Sequence, residues 1–430
     1  MFEKDLDVNR YSHVSSPSHA NGRRVLISGA SIAGPATAYW LDRHGFDVTL
    51  VEKAATIRLG GYPIDLRGVA MDVAERMGLR PALLDAHIDS QRATFVDGDG
   101  KEIIALDPEW IHGGVPGRDV EVARGELASL LSDLTLNRVR RRFNNSIAAL
   151  EDDGAGVDVT FDDGSRERFD IVIGADGVHS NTRALTFGDE VQFSKPIGFC
   201  FAGFSIPNAL GLDREALISN VPGRMVAIYA AGSCPEKVFV LMAFAHPYRL
   251  GREGRDPAFQ RGLTAKAFAG ASWQVPELLR AMETADDLYF DHVEQIRMPA
   301  WTLGRVALVG DAAYAPSFLT GQGSSLALTG AYVLASELAR HPDHRGAFAA
   351  YERKLRPFIA LNQATVAEGM VGMIPATAEQ LEQRSLGLKE VAGTSALDGD
   401  TARPEHSALD LSEYRDDPSN GYRSRRGAAW

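Results

Sequence analysis

Cysteine is nearly absent: Cys200 and Cys234 are the two in 430 residues. Neither sits at a ligand-like spacing from histidine or from the other, which argues against a metal site or a disulfide framework and reads as two small buried hydrophobes. Long apolar runs are missing too, and no window approaches the roughly 20 residues of a membrane span. The polar opening stretch, residues 1–22, has no apolar centre of the kind a signal peptide needs and reads as a disordered leader. Positive charge is in deficit, with 45 Lys and Arg against 57 Asp and Glu and a net charge of −12. That balance repels nucleic-acid phosphates and anionic membranes. What these absences leave is a cytoplasmic protein whose partner is a small molecule.

What is present is α/β patterning. Arg24 opens a strand (RVLIS), a glycine turn follows, then apolar residues at helical spacing over IAGPATAYWLDRHG, then a second strand, FDVTLVE. Pro35 falls in the first helical turn and Gly45 at the helix end, both tolerated there. This is one βαβ unit, Rossmann-like in form. Two stretches, RATFVDGDGKEIIAL and VDVTFDDGSRERFDIVIGADG, read as hairpins around acidic Gly-containing turns. Residues 199–206, 224–231 and 237–245 read as further strands of an inserted, mostly antiparallel sheet. Residues 345–371 and 376–391 read as helices, and everything after 392 is too polar to bury a core. The most buried-looking strands, near residues 25, 170 and 305, each end in Gly-Ala or Gly-Asp. They are expected to lie side by side with their carboxyl ends at one ligand crevice.

Three segments carry chemistry. The first is GASIAG, residues 29–34. In a dinucleotide-binding turn the first glycine permits the tight bend, the second admits the pyrophosphate and the third lets helix and strand pack closely. Gly29 and Gly34 fill the first and third roles, whereas Ser31 replaces the second glycine and can turn its hydroxyl toward a phosphate. Ile32 and Ala33 complete the turn. Glu52 ends the second strand, 52 − 29 = 23 residues beyond the first glycine, close to the ~20 expected of the acid that holds a ribose. Its charge repels a 2′-phosphate and selects FAD or NAD over NADP as the nucleotide bound there. The second segment, IVIGADGVHSNTR, delivers Asp176-Gly177 to a strand end. The third, LVGDAAYAPSFLTGQGSSLALTG, delivers Gly310-Asp311, then Pro316, then Gly321-Gln322-Gly323-Ser324 opening a helix. A carboxylate after a strand-end glycine can accept a ribityl hydroxyl, and a helix start at Gly323 aims its positive end at the crevice.

Taken in order, these segments resemble the single-component FAD-dependent monooxygenases of the para-hydroxybenzoate hydroxylase type, over roughly residues 24–370. GGYPIDLRGVAMDVAERMGL, residues 60–79, is most similar to the tetracycline-inactivating enzymes and related actinobacterial polyketide-tailoring monooxygenases. The resemblance implies non-covalent FAD. Gly29, Gly34 and Glu52 would hold its ADP half, Arg124 in EVARGEL would contact it from a helix start, and Asp176 and Gly177 would serve both FAD and NAD(P)H. Asp311 would take the ribityl chain. Pro316, Gly321 and Gly323 would shape the pocket beside the isoalloxazine, which Asp65 would also pass. Three departures stand out: Ser31 for glycine, Lys53 for arginine, and Tyr314 for the histidine common after Gly-Asp-Ala-Ala. The implied layout is an FAD-binding domain of residues 23–80, 115–190 and 295–345, and a substrate domain of 81–114 and 191–294. C-terminal helices over 346–391 and a loosely ordered tail over 392–430 complete it.

The implied activity is oxygen insertion into an aromatic or polyketide-like molecule. NADH or NADPH reduces the flavin, O2 adds to form a C4a-hydroperoxide, and one oxygen atom passes to the substrate by hydroxylation or Baeyer–Villiger chemistry. Such a site needs shape and exclusion of water more than acid–base side chains, and no catalytic side chain is assigned. His112, in IHGGVPG, is the one offered as a substrate base, and His179 reads as structural. Phe318, beside the flavin helix, and Tyr229 are offered as substrate contacts. Phe201 and Phe204, three apart on one strand, should face opposite ways. Two other readings stay open: a flavin reductase or dehydrogenase without oxygen insertion, and a non-catalytic FAD-binding protein.

Overall fold

A computed structural model describes residues 22–57, 62–108, 113–230, 235–393 and 403–414. Its first sheet runs, edge to edge, Thr302–Leu303, Val306–Leu308, Ile171–Gly174, Arg24–Ser28, Asp47–Val51 and Arg140–Arg142. All pairings are parallel except that of the 302–303 edge. The three strands expected to be neighbours are: Val25 pairs with Ile171, and Val172 with Val306. They are continuous apolar runs because both faces are covered. On one face lie the helices Ala33–Arg43 and Gly323–Arg340, where Trp40 meets Tyr332 edge to face at 4.7 Å. On the other, Phe161 and Phe169 of a small meander (Ile147–Asp152, Val157–Phe161, Arg166–Phe169) pack on Leu26 and Val172.

The second sheet has seven strands, in the order Tyr289–Ile296, Ser194–Pro207, Lys237–Ala245, Arg224–Ala230, Glu215–Val221, Arg92–Val96, Glu102–Leu106. Among the described residues, the 215–221/92–96 pairing is its one parallel pairing. The two-residue period of the strands divides its side chains. Cys200, Ala202, Phe204, Ile228 and Met242 pack toward the helices Pro257–Ala267 and Val275–Thr284, with Phe268, Leu278 and Met282. Phe199, Phe201, Ala227 and Leu241 face the first lobe instead and meet Leu319. Phe201 and Phe204 therefore do point to opposite faces, and Cys200 is a buried free thiol.

Among the described residues three α-helices follow Gly323–Arg340, called the flavin helix below, at His344–Ala364, Val366–Met373 and Ala378–Gly393. Within the stretch 392–430, residues 403–414 pack against the helices. Leu411 and Tyr414 are buried, the Tyr414 hydroxyl donates to Glu337, and its ring packs on Tyr332 at 5.5 Å. Two buried apolar side chains in so short a segment carry no periodicity to read. Among the described residues no helix is long and apolar enough to cross a membrane.

Candidate cofactor and substrate site

The strand Arg24–Ser28 runs into the turn at Gly29, whose amide donates to Val51 O at 2.8 Å. Gly29 has φ +107°, and a Cβ there would stand 2.4 Å from Ala175 O. A Cβ on Gly34 would stand 1.8 Å from Gly29 O. Both glycines are thus demanded by close approach of backbone. The helix Ala33–Arg43 begins at the turn with no side-chain cap, so its first amides lack partners within the helix. Glu52 braces the same turn: its carboxylate accepts from Ala30 N at 2.8 Å and Ala54 N at 2.9 Å. The Ser31 hydroxyl accepts from Arg124 Nη2 at 2.7 Å. Lys53 is exposed beyond the strand end.

A second helix start converges here. Gly310 has φ +66°, and its Cβ would meet Ala33 Cβ at 3.0 Å and Ala327 Cβ at 3.5 Å, so both long helices close on this one residue. Asp311 follows. It exposes more than a third of its surface, yet protein surrounds it, which describes the wall of a cleft. Desolvation pushes its pKa above the usual carboxylate range, with Arg124 opposing and Asp291 adding. A Cβ on Gly323 would lie 3.8 Å from Asp311 Oδ1, and one on Gly321 (φ +67°) would lie 2.9 Å from Asp65 Oδ2. Asp65 and Asp311 therefore flank the start of the flavin helix. Asp65 pairs with the buried Arg67 at 2.7 Å and its carbonyl accepts from Ser325 Oγ at 3.2 Å. Gln322 and Ser324 are buried in the first turn.

Some of the residues that build this site carry no sequence signal. Gln295 donates to Pro316 O at 2.9 Å and Gln363 O at 2.8 Å, while Gln363 donates to Ile296 O at 2.9 Å. These buried amides fix the loop before the flavin helix, and neither belongs to a motif. Ser317 holds φ +84°, ψ 147° in that loop, a region normally left to glycine and costing on the order of 1–3 kcal/mol. Arg183 was legible as part of DGVHSNTR but its task was not. Fully buried, it donates to Ala312 O at 3.0 Å and Val178 O at 2.6 Å and pairs with Glu190 at 2.8 Å, tying the second motif to the third.

Asp176 is engaged locally: Thr182 N (2.9 Å), Thr182 Oγ1 (2.8 Å), Ser28 Oγ (3.3 Å) and the Ser180 hydroxyl all donate to it. Its place is the join between the strand Ile171–Gly174 and the helix Asn181–Phe187. Gly177, at φ +81°, has open space around it. His179 bonds Glu190 at 3.0 Å and Asp291 at 3.3 Å, and those contacts, Asp291 first, raise its pKa to about 10. Tyr314 is turned into the core, 4.7 Å from Trp301, with its hydroxyl accepting from Tyr351 Oη at 3.2 Å. Burial pushes it up to about 12. His112 and Cys234 lie outside the described residues.

Between the loop and the inserted sheet stands an aromatic cluster. Phe318 stacks, tilted, on Phe201 at 4.6 Å, Phe201 lies 5.6 Å from Tyr289, and Tyr62 lies 6.0 Å from Phe201 and 6.2 Å from Tyr289. Desolvation raises the Tyr62 pKa to about 12, and both Arg124 and Asp311 act on it electrostatically. Arg124, whose amide donates to Tyr62 O at 3.3 Å, and Asp311 thus lie near the aromatic cluster. Tyr229 is half-buried on the same sheet face, with Asp65 and Glu121 near enough to add to a pKa already raised by desolvation.

Uncapped amides at two helix starts, glycines that admit backbone but no Cβ, a cation at the first turn and a walled carboxyl at the second define a dinucleotide-binding flavoprotein site. The residues present fit FAD: amides and the Arg124 guanidinium could donate to phosphates, and the Glu52 and Asp311 carboxyls could accept from hydroxyls. A family profile described as "FAD binding domain" matches residues 23–362. The chain is 42% identical over 363 residues to an uncharacterised protein of Mycobacterium tuberculosis, covering 84% of this chain and 97% of that one. It is 36% identical to a flavin-dependent monooxygenase of Legionella longbeachae, with 84% and 93% covered. The crystal structure of tetracycline destructase Tet(55) superposes with a TM-score of 0.79 at 36% identity, covering 92% of this chain and all of that one. The chain belongs to the FAD-dependent monooxygenases of the FAD binding domain family.

Proposed function

We propose that the chain hydroxylates an aromatic or polyketide-like small molecule, with NADH or NADPH as reductant. The observation that carries this is the aromatic cluster of Tyr62, Phe201, Tyr289 and Phe318 beside Asp311, because flat rings favour offset and edge contacts with a flat guest. The similarity to a tetracycline destructase supports a fused-ring substrate. When bound, FAD supplies the redox chemistry and, with O2, the transferred oxygen atom. The protein's part is to hold and shield. Ser31, Ile32 and Ala33 amides and Arg124 would hold the pyrophosphate, with Gly29 and Gly34 making room. Glu52 would hold the ribose, with Lys53 at the rim. Asp311 would hold the ribityl chain, and Pro316, Gly321, Gln322, Gly323, Ser324 and Asp65 would line the ring pocket. Phe318, Phe201 and Tyr229 would exclude water around the substrate. Asp176 and Gly177 would act from behind, through the joined turns.

The test is turnover. Purified holoprotein should oxidise NADH or NADPH faster with phenolic polyketides, tetracyclines included, and yield a product one oxygen atom heavier. Reduced alkenes with no added oxygen, or flavin inert to both nicotinamides, would sink the reading. Asp311→Ala is expected to purify mostly colourless, losing roughly ten- to hundredfold in FAD affinity through a hydrogen bond to a charged group. Full flavin loading of that variant would remove Asp311 from the site.

A further inference from the structure

We infer that Ser31 is a positioning residue whose hydroxyl holds the Arg124 guanidinium at the Gly29 turn, so that cation and helix amides form one anion cradle. The inference rests on the pyrophosphate placement proposed above.

The contact bridges distant parts of the chain, Arg124 Nη2 to Ser31 Oγ at 2.7 Å across 93 positions. Arg124 is the first residue of the helix Arg124–Asp133, and its amide donates to Tyr62 O at 3.3 Å. Its backbone is therefore fixed, while its long side chain has many rotamers to choose among. Among the described residues no carboxylate lies within ion-pairing distance of the guanidinium, and Ser31 is its hydrogen-bond acceptor. Asp311 acts on the same surroundings only at longer range. An arginine held by a neutral hydroxyl keeps its full charge for a ligand, whereas one paired with a carboxylate would not.

Serine suits this double duty. A hydroxyl has two acceptor lone pairs and one donor proton. With a lone pair given to Arg124, the proton remains free to point at a phosphate oxygen. Glycine, which the dinucleotide fingerprint favours here, would leave Arg124 without that acceptor. The departure is thus an exchange: some backbone room is given up, and an arginine with planar, forked donors is held where the amides of the helix Ala33–Arg43 emerge.

Full-length apoprotein of the wild type and of S31G, S31A, S31T, R124A and S31A/R124A should be titrated with FAD by flavin fluorescence. S31A and S31G are expected to raise Kd about tenfold, as for loss of a hydrogen bond to a charged group. S31T, which keeps the hydroxyl, should stay within about twofold of wild type on the same ground. In the R124A background, S31A should change Kd by less than about twofold, because the two residues act as one unit. An S31G protein that binds FAD as tightly as wild type, or an S31A penalty of equal size with and without Arg124, would overturn the inference. An R124A protein with unchanged Kd would instead remove Arg124 from the pyrophosphate, a separate failure that takes the inference with it.

Discussion

The two sheets do different work with different means. In the first lobe, the proposed cofactor site lies at strand ends and is made of backbone: amides, carbonyls and glycines whose missing Cβ is the point. In the inserted lobe, the proposed substrate site lies on one face of a sheet and is made of ring shapes. A backbone device demands a particular residue, while a shape can be built in many ways. The first lobe is accordingly the less forgiving of the two.

Gly34→Ala tests that intolerance. The added Cβ would fall 1.8 Å from Gly29 O, backbone against backbone, so no rotamer can relieve it. Moving the helix away from the turn is expected to cost about 3 kcal/mol, the upper end for overpacking, and to abolish flavin loading. The control is Gly177→Ala, also at a strand-end motif but with open space around it. There the left-handed backbone alone should cost about 1–2 kcal/mol. Chemical denaturation and the flavin-to-protein absorbance ratio measure both. Equal losses at the two glycines would break the contrast.

The same contrast explains what was legible. GASIAG, Glu52 and Gly310-Asp311 could be read because a positive φ or a close approach leaves glycine and acid at fixed intervals. The two hairpins and the helices after Gly29, after Gly323 and over 344–364 and 378–393 were legible from period and turn chemistry, whereas Pro257–Ala267 and Val275–Thr284 were not read as helices. The partner of Ser31 was not, since Arg124 reaches it from 93 positions away, and no local pattern encodes that. Gln295 and Gln363 were missed because a buried glutamine in FDHVEQI or in a long helix looks like any polar interruption. Only its acceptors, the carbonyls of Ile296 and Pro316, give it meaning. Tyr62 and Tyr289 were missed for a related reason: Tyr289 on its strand declares a face but not its neighbours, and Tyr62, in the loop before the strand Pro63–Leu66, declares neither. Tyr414 shows the limit of composition, a polar tail being able to dock through a few buried side chains, His406, Leu411 and Tyr414.

In the inserted lobe, the two phenylalanines three residues apart separate packing from function. Phe201→Ala and Phe204→Ala each remove a nearly fully buried ring, and each should cost about 3–5 kcal/mol of stability. Only Phe201 touches the cluster with Phe318, Tyr62 and Tyr289. Phe204 packs toward the back helices. Below the melting range, the folded Phe204 variant should keep the wild-type KM and the wild-type ratio of product formed to nicotinamide oxidised. The Phe201 variant should raise KM and waste reductant as peroxide. Loss of coupling in both would mean that the sheet transmits strain between its faces, and the division drawn from strand parity would fail.

The smallest expected effect lies at the seam between the lobes. His179, from the Asp-Gly motif, bonds Asp291 on the inserted sheet and Glu190 beside the buried Arg183, with Glu294 near by. Its pKa rises to about 10 in the folded protein against an ordinary 6.5. Because the folded value is the higher one, the native state binds the proton more tightly than the unfolded chain does. The stabilisation is fully present below pH 6.5 and is lost as pH climbs through about 10. The ring is about half exposed, 49%, so solvent screening keeps the gain small. His179→Gln should therefore lower Tm most at pH 6, less at pH 8.5 and hardly at all above pH 10. A Tm difference that is flat across that range, or that grows with pH, would show that the seam is held by packing and by Arg183, with no contribution from the charge on His179.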